Sequence, residues 1–134
     1  VVELRKVSDE SLVGTAPDIT KHFIELRGIG IIDVKQMFGV ESVKDTQTLN
    51  MVINLAEWSK EKDFDRLGLK DNYMEFLGNK VISYDIPIRP GRNVAIIVEC
   101  AAINNRAKKM GYNAAQVLYE RVTANMKRQD EAED

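Results

Sequence analysis

Polar and apolar positions alternate from the start of the chain. Val2-Glu3-Leu4-Arg5-Lys6-Val7 has the period of two that predicts a strand. No cap or turn precedes it, so it reads as the continuation of something longer. Pro17 and Asp18 predict one short helix through His22 and Phe23. From Glu25 to Val34 the chain carries Gly28 and Gly30 one residue apart, which breaks any helix and predicts a tight turn before an apolar strand. Leu49, Met51, Ile53 and Leu55 alternate with Asn50 and Asn54, predicting a strand over 48–55 that ends near Trp58. The charged stretch Lys60 to Asn72 reads as a surface connection anchored by Phe64. Val81 to Ile86 predicts a further strand stopped by Pro87. Pro87 to Asn93 then reads as a loop, because two prolines and the Pro90-Gly91 turn dipeptide oppose a helix.

Two helices close the pattern. Val94 to Lys109 is too long for an ordinary strand. It follows Asn93 at an N-cap position and ends on Arg106, Lys108 and Lys109 before Gly111, so a largely buried helix is expected. Asn113 with Gln116 resembles a capping box opening a second helix, with Ala115, Leu118, Val122 and Met126 on one face. That face packs either within this domain or on a neighbouring subunit. The acidic end, 129–134, has no apolar anchor and is expected to fray.

Size and charge narrow the function classes. With 134 residues, 44% of them hydrophobic, one compact unit is the default. A formal charge of −2 supplies no global field toward nucleic acid or an anionic membrane. The apolar run 94–103 is interrupted by Glu99 and too short to span a bilayer, and no signal peptide is evident, so a soluble, cytoplasmic protein is expected. A lone Cys100 in an apolar run reads as a small buried hydrophobe, and His22, the only histidine, as structural.

Three places carry candidate chemistry. Glu25, Arg27, Gly28, Gly30 and Asp33 combine carboxylates, a guanidinium and open backbone, a mix suited to Mg²⁺ and phosphate. They equally suit a strand turn with an Arg–carboxylate pair. Arg89 and Arg92 flank Pro90-Gly91 just before a helix N-terminus, where two guanidiniums and the helix dipole can converge on an oxyanion. A solvated turn with two arginines is the alternative. Arg66, by spacing alone, is a surface arginine.

Taken together these segments resemble the HPr kinase/phosphorylase family. Ile24-Glu25-Leu26-Arg27-Gly28-Ile29-Gly30-Ile31-Ile32-Asp33-Val34 is similar to its Glu-x-Arg-Gly-x-Gly-Ile-Ile-Asp-Val segment. Phe64-Asp65-Arg66-Leu67-Gly68 resembles its Asp-Arg-Leu/Val-Gly element. Pro87 to Asn93, Glu99 to Asn104 and Lys109 to Ala115 follow in that family's order.

The resemblance implies an α/β fold, namely the C-terminal portion of a P-loop-type, phosphoenolpyruvate carboxykinase-like kinase domain with mixed strands packed with C-terminal helices. It would occupy residues 1–128, with 129–134 an acidic tail. It further implies a bifunctional enzyme of carbon catabolite regulation. Such an enzyme phosphorylates a serine of the phosphocarrier HPr from ATP or pyrophosphate, and removes that phosphate by attack of inorganic phosphate. By position, Glu25 would ligate Mg²⁺, and Ile24, Glu25, Leu26, Arg27, Gly28, Ile29, Gly30, Ile31, Ile32 and Asp33 would serve both directions. Arg66 would be catalytic, and Pro87, Ile88, Arg89, Pro90, Gly91 and Arg92 would form the dephosphorylation loop. Family members assemble as hexamers and engage HPr through C-terminal helices. None of the eight glycines is followed by lysine, so the phosphate-cradling Walker A loop is expected upstream of Val1 and the chain alone is expected to be inactive. A noncatalytic HPr-binding or oligomerisation module is the alternative.

Overall fold

The computed structural model describes residues 1–60 and 64–133; the charged positions 61–63 and Asp134 lie outside the described residues. Its strands are β1 (Glu3–Ser8), β2 (Ser11–Thr15), β3 (Phe23–Leu26), β4 (Gly30–Asp33), β5 (Thr46–Thr48), β6 (Val52–Glu57), β7 (Asn72–Phe76) and β8 (Asn79–Ile88). Its helices are α1 (Val34–Phe38), α2 (Val94–Lys109) and α3 (Ala114–Glu133). The chain divides into two compact units rather than the single one that composition suggests, Val1–Asn50 with Met74–Val81 and Met51–Tyr73 with Ile82–Asp134.

In the first unit β1 and β2 form an antiparallel hairpin, extended by β5 on the far side of β2. Leu12, at the centre of that sheet, is the one fully buried large side chain among the described residues. Buried Asn79 donates through Nδ2 to the Ser8 carbonyl at 2.9 Å, tying the start of β8 to the end of β1. The segment after Pro17 is a turn and not the expected helix: the amides of Thr20 and Lys21 both donate to the Pro17 carbonyl, and His22 at φ +72 ends any helical run. The two-glycine segment is the antiparallel β3–β4 hairpin, with Leu26 facing Gly30.

In the second unit β6 and β8 run parallel, from Val52 opposite Ser83 to Glu57 opposite Ile88. The expected strand over 48–55 is therefore two, broken at 49–51. Pro87 does not stop β8, which continues to Ile88. Only β6 pairs along this end, since five-residue β7 cannot cover ten-residue β8, and a missing N–H on the free edge breaks no ladder bond.

Asn93 caps α2 as expected, its Oδ1 accepting from the Ile96 amide at 3.2 Å. The helix is not largely buried: Asn105 is its single buried residue, and Cys100 is exposed rather than enclosed. Asn113 likewise caps α3 by accepting from the Gln116 amide at 3.2 Å. Gln116 turns its side chain to Glu120 at 3.4 Å, so the second half of a capping box is not made. Leu118, Val122 and Met126 remain exposed, and α3 runs on through the acidic end to Glu133.

Candidate functional site

Two tight turns and one strand end line a cleft of about 1170 Å³ within the second unit. The first turn is Asp65 to Gly68. The Asp65 Oδ1 accepts from the amides of Leu67 and Gly68, both at 3.0 Å, an Asx-type closure that leaves Arg66 at the tip. Those two amides, Gly68 first and Leu67 next, hold the Asp65 carboxyl below its ordinary value of 3.8, and the charge of Lys108 adds to them. Asp65 is thus committed to shaping the turn as an anion and has no proton to offer near neutral pH.

The second turn is Arg89-Pro90-Gly91-Arg92. The Arg92 amide donates to the Arg89 carbonyl at 3.2 Å, with proline second and Gly91 third at φ +84, as a type II turn requires. Because first and fourth residues of such a turn lie close, the Pro-Gly pair is what brings Arg89 and Arg92 together. Arg66, Arg89 and Arg92 all line the cleft, although 23 residues separate the first two in sequence. Among the described residues no carboxylate pairs with any of the three.

The other charged lining residues are largely spoken for. Lys108, on α2 and 13% exposed, reaches the Asp71 carboxylate at 3.4 Å and lies 5.9 Å from the Tyr84 ring centre. The Tyr84 hydroxyl meets the buried Asn105 Oδ1 at 3.5 Å. Asp85 accepts from the Asn54 amide across the β6–β8 pair at 3.1 Å. Trp58 lies under Arg89, whose guanidinium carbon is 5.5 Å from the ring centre. Trp58, Tyr84, Asp71 and Lys108 were missing from the sequence-derived candidates. Lys108 reads there only as a cationic helix end, and its direction toward the cleft depends on how α2 packs, for which spacing carries no signal.

The remaining candidates, Ile24 to Asp33, belong to the first unit. The Ile29 amide donates to the Leu26 carbonyl at 3.0 Å, and Gly28 takes the third position of that turn at φ +88. Asp33 caps α1, its Oδ1 accepting from the Gln36 amide at 3.0 Å, so its carboxylate has a structural task already. Glu25 and Arg27 are exposed, and among the described residues nothing engages the Glu25 carboxylate. No cluster of three or more metal-ligating side chains occurs among the described residues. A single open carboxylate still fits Mg²⁺, which keeps most of its waters and takes one or two protein carboxylates together with substrate phosphate oxygens. His22, in the same unit, has its Nε2 3.4 Å from Asp45 Oδ1, close enough for an ion pair but too poorly aimed for a hydrogen bond. No helix of the described residues is long and apolar enough to cross a membrane.

Comparison with known proteins gives one answer. The family described as HPr Serine kinase C-terminal domain matches residues 1–122. A protein of Lachnoclostridium phytofermentans named HPr kinase/phosphorylase is 68% identical over 126 residues, 94% of this chain and 41% of its own. Another so named from Caldicellulosiruptor bescii is 58% identical over 132 residues, 98% of this chain and 42% of its own. The chain therefore spans about two fifths of the length of the curated relatives it matches. The solved Hpr(Ser) kinase/phosphatase of Coxiella burnetii superposes with a TM-score of 0.73 at 30% identity, covering 89% of this chain and 72% of that one.

Proposed function

This chain belongs to the HPr Serine kinase C-terminal domain family, and on that premise we propose that it is the C-terminal part of the catalytic domain of an HPr kinase/phosphorylase. In this reading the whole enzyme phosphorylates a serine of HPr from ATP or pyrophosphate and reverses the reaction with inorganic phosphate. This chain supplies the phosphate-facing arginines. The observation that carries the reading is the convergence of Arg66, Arg89 and Arg92, none of them paired with a carboxylate among the described residues, on one cleft.

Phosphorolysis needs an anion-binding place for the attacking phosphate and positive charge near the transferred group. Arg89 and Arg92 are assigned the first task. Each guanidinium offers paired N–H donors, and the capped N-terminus of α2 follows directly, so its unpaired amides and dipole add to the field. An oxygen of that phosphate forms a bond to the phosphoserine phosphorus while the bond to the serine oxygen breaks. The serine oxygen takes a proton, and pyrophosphate leaves. Arg66, held at its turn by Asp65, is assigned the equatorial oxygens, where charge-assisted hydrogen bonds strengthen in the transition state. Mg²⁺, when bound, neutralises phosphate charge, and Glu25 is its proposed ligand. The hairpin residues 24–33 are needed in both directions, and 87–92 for dephosphorylation. The parent is a cytoplasmic homohexamer that binds HPr, ATP, pyrophosphate and inorganic phosphate.

The test is phosphotransfer to HPr with ATP and Mg²⁺ by the chain alone and by the chain joined to the upstream segment of a relative. Activity only in the joined protein, lost on Arg66→Ala, is the expected result. No activity in either would leave a binding module.

A further inference from the structure

We infer that Trp58 is a positioning residue that orders Arg89 for an oxyanion without neutralising it, an inference that rests on the reading of the 89–92 turn as a phosphate site. The backbone of this turn is fixed by proline, glycine and the Arg92-to-Arg89 hydrogen bond, but that fixes only where the Arg89 side chain begins. A long arginine on an exposed turn samples many rotamers, and ordering it on binding lowers affinity. Proteins commonly order an arginine with a carboxylate. A carboxylate here would consume the same in-plane N–H donors that a phosphate needs. An aromatic face avoids the conflict, because it holds the guanidinium through the flat side and leaves the donors at the rim free.

The placement of Trp58 follows from the strand register. Glu57 lies opposite Ile88, and the Trp58 amide donates to the Ile88 carbonyl at 3.1 Å, so the ring emerges beside the next residue of β8's extension, Arg89. The guanidinium carbon sits 5.5 Å from the ring centre, within cation–π range, while Trp58 as a residue stays 45% exposed. Lys108 in the same cleft shows the contrast. It has both an aromatic ring and the Asp71 carboxylate at 3.4 Å, and its charge is compensated.

Trp58 is also the only tryptophan, so its fluorescence reports on this stack directly. The experiment titrates the chain with sodium phosphate against sodium chloride at matched ionic strength. Emission is read in the wild type and in Arg89→Ala, and heat of binding in the wild type and in Trp58→Phe, Trp58→Leu and Arg89→Ala. The expected results are a phosphate-dependent emission change with the calorimetric midpoint, absent in Arg89→Ala, and affinity weakened about two- to fivefold by leucine. Phenylalanine, which keeps an aromatic face, should restore most of the loss. Equal affinity in the leucine variant, or emission that stays constant while calorimetry shows saturation, would overturn the positioning role and leave the phosphate site standing. Absence of phosphate binding in the wild type would overturn the site and this role with it.

Discussion

Gly91→Ala probes the turn on which the account depends. Gly91 sits at φ +84, and an ideal Cβ built there meets nothing within 4 Å, so the substitution carries no clash and acts through the backbone alone. Holding an L-residue in the left-handed region costs about 1–2 kcal/mol. That strain has two outlets. If the turn keeps its shape, the chain loses about 1–2 kcal/mol of stability and Arg89 and Arg92 stay together. If the turn opens, stability falls less, but the two guanidiniums separate and phosphate affinity drops. Urea unfolding with a phosphate titration measures both, and the losses should trade against each other. Gly91→Asn should lose about half as much or less, since asparagine visits this region routinely, whereas Gly91→Val should lose more than alanine. An alanine variant with unchanged unfolding midpoint and unchanged phosphate affinity would refute the reasoning.

Other outcomes are expected. The folded-state pKa of Asp65 is lowered, so its stabilising contribution is present above its ordinary 3.8 and lost as pH falls through the lower folded value. Unfolding midpoints measured from pH 6 down to pH 2 should fall more steeply in the wild type than in Asp65→Asn, whose amide oxygen still accepts the two turn amides but does not titrate. Asn93→Ala removes the cap of α2 and should lose about 1 kcal/mol by chemical denaturation, with Asn93→Asp recovering most of it. In the full-length enzyme Arg66→Ala should lower kcat about 10²–10³-fold in both directions, as removal of one transition-state donor does elsewhere. Glu25→Gln should raise the Mg²⁺ requirement by roughly tenfold or more in a metal titration of phosphotransfer.

The sequence was most legible where a local rule decides the structure. Asn93 and Asn113 cap their helices because a short amide side chain before a helix reaches the free amides whatever lies around it. The turn at Gly28 and Gly30 and the strand after it were visible for the same kind of reason, whereas β3, which pairs with that strand, was not. Errors came where neighbours decide. Pro87 should end a strand on local grounds, yet it lies on an edge with no ladder bond to lose. The apolar run around Cys100 suggests burial, but Ile96 and Ile103 on the same helix are exposed. Enough apolar residues for one core does not mean that they form one: only Leu12, Val81 and Ile86 are buried apolar side chains among the described residues.

The candidate site divides along the same line. Arg89 and Arg92 were readable as a pair because Pro90-Gly91 sets the geometry between them. Arg66 carried no signal of its own, since a lone arginine in a charged stretch does not show that it lines the same cleft as Arg89 and Arg92, and resemblance alone singled it out. Trp58 and Lys108 carry no local signal because their partners lie 31 and 37 residues away and meet them through strand register and helix packing.

The most direct measurement compares both directions of the reaction in the full-length enzyme carrying Arg92→Ala. Phosphate-dependent release of pyrophosphate from phosphoserine-HPr should fall by about 10²-fold or more, while ATP-dependent phosphorylation of HPr stays within a few-fold of wild type. Equal losses in both directions, or undiminished phosphorolysis, would contradict the assignment of the 89–92 turn to inorganic phosphate.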